Sequence, residues 1–219
     1  PPTAFVAFLQ NHDQIGNRAF GDRLAALSGE EALRAATAIL FLLPQIPMLF
    51  MGDEWGTRRP FLFFTDIGDA LKPAIQEGRR KEFERFPEFS DPEALARIPD
   101  PTAEETFLAS KLDWSEGGAP ERWVFRERVR ALLAVRRREI APLIAEPNAE
   151  ASYEVIGAGA VSVRWTFEAG TLELFANLGD ASVSLPREPA GRTLWQEGEI
   201  GEGRLGPWSV TWTFSAAAR

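Results

Sequence analysis

The sequence predicts a mixed fold: a parallel strand–helix–strand unit with a helical excursion, then an antiparallel β-sandwich. Three observations predict it. Two short, nearly all-apolar runs, Phe5–Gln10 and Ile46–Met51, flank a long helical pattern, as in strands buried on both faces of a parallel sheet. Pro142 and Pro147 close the helical part. Beyond them come short runs of alternating polarity separated by turns rich in Gly or Asp, the pattern of antiparallel strands. The expected division is therefore 1–146 and 147–219.

Each element has its own warrant. Phe5-Val6-Ala7-Phe8-Leu9-Gln10 reads as a strand, and the polar cluster from Asn11 to Arg18 lies at its C-terminal end, where parallel α/β folds place their chemistry. Ser28 and Glu31 have the spacing of a capping box. The stretch Ala32–Leu43 is apolar on nearly every face, which predicts a well-buried helix, and Pro44 stops it. Ile46–Met51 forms the second strand, with Gly52-Asp53-Glu54-Trp55 at its exit. Residues 56–68 read as an irregular aromatic loop containing Phe61 to Phe64. Leu71, Ile75, Phe83 and Phe86 mark an amphipathic helix over 69–86, and the Pro- and Asp-rich stretch 87–103 reads as irregular. Pro120 opens a helix to about Glu139 with Phe125, Val129, Leu132 and Leu133 as its stripe; Arg136, Arg137 and Arg138 suit its C-terminal dipole. The runs 161–165, 172–175 and 209–214 are strands, with Trp165 and Trp212 in core positions. The chain opens inside a core element, which predicts a piece of a larger enzyme whose N-terminal part lies elsewhere.

Composition excludes several classes. The net charge is −8, with 23 acids against 19 bases before residue 147 and 9 against 5 after it. No basic face emerges, so nucleic acid and anionic membrane are poor partners. The absence of cysteine removes thiol catalysis and thiolate metal sites and fits a cytoplasmic setting. The longest apolar stretch, 35–50, is interrupted by Pro44 and Pro47, so it is not a membrane span. No metal cluster, cofactor loop, repeat or low-complexity tract is present in the sequence.

The chemistry gathers in one loop. Asn11, His12, Asp13, Gln14, Asn17 and Arg18 crowd together, and His12 is the only histidine. Burying so many polar groups without use is costly. A carboxylate beside an imidazole and amides suits a polyhydroxylated substrate: Asp13 accepts hydrogen bonds from vicinal hydroxyls, and its charge favours a cationic transition state. Asp53 and Glu54, at the second strand's exit, either bind sugar hydroxyls or pair with Arg58 or Arg59. Trp55 and Phe61–Phe64 offer ring faces for pyranoses or pack the loop. Trp195 and Trp208 share that ambiguity. Glu77–Lys81 reads as a solvated helix face, with Arg79 or Arg80 within the range of possible partners for an active-site carboxylate.

Four segments carry a specific resemblance: Asn11–Arg18; Met51–Gly56; Pro60–Asp66 with Glu77–Phe83; and Ser110–Trp114. They resemble the α-amylase family of glycoside hydrolases, in particular its branch that frees trehalose from the end of a malto-oligosaccharide. The resemblance implies the C-terminal portion of a TIM (β/α)8 barrel, with Phe8–Asp13 as the seventh strand's motif and Ile46–Trp55 as the eighth strand and its exit. It implies a retaining mechanism with Asp13 as transition-state stabiliser, His12 holding the −1 sugar and Asn11 supporting the pair. Gln14 and Arg18 fall on the trehalose side. The nucleophile and general acid would lie on strands outside this chain, so the chain alone would be inactive. Two positions depart from the pattern: Ile67 stands where His is expected and Asp53 where Glu is commoner. A glycogen-branching enzyme shares the barrel and much of the first two segments. A non-catalytic glucan-binding fragment is the reading from another class.

Overall fold

The computed structural model describes residues 1–145 and 150–217. Pro147 and the 146/147 division lie outside the described residues. The helices are α1 (His12–Gly16), α2 (Leu24–Leu27), α3 (Glu30–Leu42), α4 (Lys72–Glu84), α5 (Pro92–Ala96), α6 (Glu104–Ser110) and α7 (Pro120–Val135). The strands are β1 (Val6–Ala7), β2 (Ile46–Pro47), β3 (Glu150–Gly157), β4 (Ala160–Phe167), β5 (Gly170–Asn177), β6 (Val183–Ser184), β7 (Arg192–Glu197), β8 (Ile200–Gly201), β9 (Arg204–Leu205) and β10 (Ser209–Ala216). They form two compact units, one of residues 1–9, 28–48 and 124–219, the other of 10–27 and 49–123.

In the first unit, β1 and β2 pair in parallel with Val6 opposite Ile46, and α3 connects them. This is the predicted strand–helix–strand order, with strands of two residues instead of six. The expected burial on both faces is not met: Phe5, Val6, Phe8, Leu9, Ile46 and Met48 are exposed. A two-stranded sheet has no neighbours to cover these side chains. α3 starts one residue later than the capping box required. Gly29 is its N-cap, no side chain caps it, and Glu30 and Glu31 occupy the first turn, where carboxylates suit the dipole. Its Ala35, Ala38, Phe41 and Leu42 are buried, as the all-round apolar pattern predicted.

The C-terminal strands are antiparallel, in a five-stranded sheet of order β3-β4-β5-β10-β7 and a three-stranded sheet of order β6-β9-β8. The smaller sheet meets the larger one, with Asn177 of β5 donating to the Leu205 carbonyl of β9 at 3.4 Å. On the larger sheet's apolar face, Trp165, Leu172, Leu174, Ala176, Val210 and Trp212 share one core with α3 and with Val129, Leu132 and Val135 of α7, which the sequence reading did not foresee. Trp165 and Trp212 stack there with centroids 5.6 Å apart. The sheet's other face carries Ser162, Glu173, Thr211 and Thr213, and Arg187 lies over Phe175. Leu133, expected in the stripe of α7, is exposed. After Val135 the helix continues as a π turn, Arg136–Ile140. Arg136 does not serve its own helix: Nη1 donates to the carbonyls of Phe41 and Leu43 at 2.9 and 2.6 Å, and Nη2 to that of Gln45 at 2.7 Å. It thereby satisfies carbonyls left open where α3 ends.

In the second unit, α4 is shorter than predicted, and only Arg79 and Phe83 of it are buried. Leu71 and Phe86, predicted for its apolar stripe, are exposed. The stretch read as irregular contains α5, whose Asp91 side chain caps it through the Glu93 amide at 3.0 Å. Residues 56–68 form the predicted irregular loop. Leu62 anchors it, its amide donating to Ser110 Oγ at 2.9 Å. Phe61 packs edge-on to Phe50 and Phe64, with centroids 5.0 and 5.7 Å away.

Candidate functional site

The polar loop after β1 folds into a short helix. Asn11 is the N-cap of α1. Its side chain accepts from the Asp13 amide at 2.8 Å, while the Gln14 side chain accepts from the Asn11 amide at 2.9 Å. This reciprocal capping box satisfies two amides that a helix start leaves open. It also occupies Asn11 and Gln14 with each other. Between them, His12 and Asp13 project outward with 66% and 67% of their side chains exposed, His12 Nε2 lying 3.3 Å from Asp13 Oδ1. Ile15 beneath them is 1% exposed and anchors the turn. Arg18 lies beyond the helix, 3.8 Å from Asp22.

The second predicted cluster surrounds the 3-10 turn Asp53–Trp55, bracketed by Gly52 (φ +88°) and Gly56 (φ +64°). A Cβ on Gly52 would lie 2.5 Å from Thr57 Cγ2, so glycine is required there on two counts. Asp53 is mostly buried and its carboxylate is used within the protein. Oδ1 accepts from Gln10 Nε2 at 2.6 Å, and Oδ2 accepts from the Phe50 amide at 2.9 Å. The partner cation is Arg23, 3.8 Å away, not Arg58 or Arg59. Burial raises the Asp53 pKa above its ordinary value, against the Phe50 and Gln10 hydrogen bonds and the Arg23 charge. Burial likewise lowers that of Arg23. Glu54 turns back to accept from the Gly52 amide at 3.0 Å.

Arg23 is fully buried. Its Nε donates to the Arg59 carbonyl at 2.6 Å and its Nη1 to the Met51 carbonyl at 2.8 Å, with the guanidinium over the Phe50 ring. Gln10 completes the connection, accepting from the Leu24 amide at 2.8 Å. Gln10, Arg23 and Asp53 thus tie the segment around Asn11 to the segment around Asp53. Neither Gln10 nor Arg23 was singled out in the sequence reading. A buried glutamine beside a buried arginine has no periodic signature, because the partners are main-chain groups and one carboxylate distant in sequence.

Arg79 corrects another expectation. It is not on a solvated face. It is 6% exposed, and its Nη2 donates to the carbonyls of Gly16 and Arg18, both at 2.8 Å. Phe63 and Phe83 lie at 5.1 and 4.6 Å from its guanidinium carbon, and Glu82 accepts from Nη1 at 2.9 Å. Arg80 is exposed. Trp55 is buried beside Trp114, which is 75% exposed, and Asp113 accepts from the Ser115 hydroxyl and amide. These Ser115 hydrogen bonds hold Asp113 below the usual carboxylate range. Among the described residues, no group of three or more His, Cys, Asp or Glu side chains is arranged to hold a metal ion, and no helix is long and apolar enough to cross a membrane.

A family model described as a domain of unknown function, DUF3459, matches residues 148–212. The malto-oligosyltrehalose trehalohydrolase of Deinococcus radiodurans is 40% identical over 187 residues, covering 83% of this chain and 30% of that protein. The protein of the same name from Arthrobacter ramosus is 40% identical over 207 residues, covering 94% of this chain and 33% of its own length. This chain thus spans about a third of the length of the curated relatives it matches. A crystal structure of a candidate alpha amylase from Salmonella typhimurium is 41% identical and superimposes with a TM-score of 0.89, covering 98% of this chain and 36% of that one. An isomaltulose synthase mutant from Erwinia rhapontici NX5, at 15% identity and a TM-score of 0.55 over 97% of this chain and 43% of that one, shares the fold.

Proposed function

We propose, from the premise that this chain belongs to the α-amylase family of glycoside hydrolases, that it is part of an enzyme releasing trehalose from malto-oligosyltrehalose. The bond cleaved is the α-1,4 linkage next to the terminal trehalose unit. The observation that carries the reading is the exposed His12–Asp13 pair on a turn fixed from within by Asn11 and Gln14. A carboxylate that is open to solvent on a rigid backbone can accept from vicinal hydroxyls and offset positive charge developing on a pyranose ring. In this reading Asp13 stabilises the oxocarbenium-like transition state, and His12 holds the hydroxyls of the same sugar. Asn11 and Gln14 fix the turn, and Arg18 faces the trehalose side. Asp53 and Glu54 shape the neighbouring loop.

The exposed apolar side chains of β1 and β2 support placing this sheet in the last part of a TIM barrel, with 147–219 as the following β domain. A retaining mechanism needs a nucleophile and an acid about 5–5.5 Å apart. Both are assigned to the remainder of such an enzyme. No cofactor enters this mechanism, and the setting is cytoplasmic.

The test uses the whole protein that contains this segment, incubated with maltotriosyltrehalose and separately with maltopentaose. Free trehalose from the first with little cleavage of the second is the expected result. Asp13→Asn lowers that turnover by about 10³-fold, or about 4 kcal/mol of transition-state stabilisation, with the fold retained. Transfer products from maltopentaose without trehalose would point instead to a branching enzyme, and near-normal turnover by Asp13→Asn would remove Asp13 from the mechanism.

A further inference from the structure

We infer that Arg79 is a positioning residue for the His12–Asp13 pair and that the excursion carrying α4 is, through this one side chain, part of the glycosidase site. The inference rests on the function proposed above.

The pair has little to hold it in place by itself, since two-thirds of each side chain is exposed. Its position depends on the backbone of α1, about one and a half turns of helix. So short a helix is not stable alone. One end is closed by the Asn11–Gln14 box. The other end leaves carbonyls open, and the Arg79 guanidinium closes it by donating to Gly16 and Arg18. The guanidinium is itself fixed between Phe63 and Phe83 and by Glu82. A planar fork that stacks on rings while bonding two carbonyls is arginine chemistry, which lysine cannot reproduce. Without it, the Gly16 carbonyl at the end of α1 loses its partner, the Arg18 carbonyl just beyond keeps only the Gly21 amide at 3.3 Å, and the C-terminal side of the turn no longer holds the Asp13 backbone in register. A misplacement of about 1 Å at a reacting group costs roughly 100-fold in rate.

The experiment takes the whole protein with Arg79→Met, which keeps an apolar stem between the rings and removes the donors, and Arg80→Met as the exposed neighbour. Expected for Arg79→Met is a fall in kcat for trehalose release of about 100-fold with KM changed less than about threefold. Millimolar guanidinium restores at least a tenth of it. Amide exchange accelerates at Ile15, Asn17 and Arg18, whose amides donate within this turn, and not across the rest of the chain. Arg80→Met behaves as the unsubstituted protein. Unchanged kcat overturns the proposal. So does loss of activity with chain-wide acceleration of exchange and no guanidinium response, because that pattern describes a general loss of structure. If the unsubstituted protein releases no trehalose, the functional reading fails. Exchange at Ile15, Asn17 and Arg18 then decides the fate of Arg79 alone: local acceleration supports its hold on the turn, and unchanged protection overturns it.

Discussion

Replacing Arg136 with methionine tests how the helical wall of the first unit is held. The guanidinium donates three hydrogen bonds, to Phe41, Leu43 and Gln45. All three acceptors lie where α3 ends and the chain turns past Pro44 into β2. A hydrogen bond from a charged donor contributes about 1.5–3 kcal/mol net, so three independent ones would give about 4.5–9 kcal/mol. They are not independent. One guanidinium makes all three, and burial lowers its pKa, which shows that desolvation of the cation opposes the gain. Taking about half the lower and middle of that range, Arg136→Met costs roughly 2–3.5 kcal/mol. Lysine keeps the charge but cannot reach carbonyls on both sides, so Arg136→Lys costs roughly half as much. Urea unfolding followed by tryptophan emission is the assay, since Trp165 and Trp212 lie in the same core as Phe41 and Leu42. A loss below about 1 kcal/mol for methionine, the size of an ordinary surface change, would refute the argument. Equal losses for methionine and lysine would refute the bidentate part of it.

Two further outcomes follow from single positions. Gly21 sits at φ +61° with its would-be Cβ 2.5 Å from the Phe61 carbonyl oxygen, and its own carbonyl accepts from the Phe61 amide at 3.0 Å. Gly21→Ala therefore combines left-handed strain with a backbone clash and costs about 2–4 kcal/mol, read as a lowered thermal midpoint. Glu139 is held below its ordinary pKa of 4.5 by Arg192 first and Arg138 second. A depressed carboxylate contributes stability that is present above 4.5 and lost as pH falls through its folded value. The urea midpoint measured from about pH 6 to pH 3 should fall less steeply in Glu139→Gln; parallel curves would remove Glu139 from acid unfolding.

Where the sequence carries periodicity, the fold was legible. The all-round apolar run of α3, the alternating runs of β4, β5 and β10, and Trp165 and Trp212 as core residues follow from patterns that packing enforces. The site loop was legible as a polar cluster at a strand's end, but its helical form was not, because five residues carry no period. That helices α3 and α7 cover the apolar face of the larger sheet was not legible, since alternation states which side of a strand is apolar and not what covers it. β1 and β2 carry a buried-strand pattern and are nevertheless exposed, for a sequence run encodes the environment in which it packs, whichever chain segment provides that environment.

Arginines that donate to main-chain carbonyls were the residues least legible, and they share one physical reason. The chain has 21 arginines and 3 lysines. Arg23, Arg79 and Arg136 donate to the carbonyls of Met51 and Arg59, of Gly16 and Arg18, and of Phe41, Leu43 and Gln45. Each set lies where a helix or loop stops pairing with itself. Carbonyls have no residue identity, so no spacing in the sequence announces such a contact. The donor can nevertheless be reasoned toward. An irregular segment leaves acceptors that must be satisfied, lysine supplies a point charge where a fork is needed, and a chain that so strongly prefers arginine has the donors available. In the second unit this logic meets the chemistry. Arg79 closes the turn that presents His12 and Asp13, while Arg23 joins with Gln10 and Asp53 to bind the two polar segments together. The residues expected to touch sugar are thus few and exposed, and the larger number of polar groups around them serve to keep those few in place.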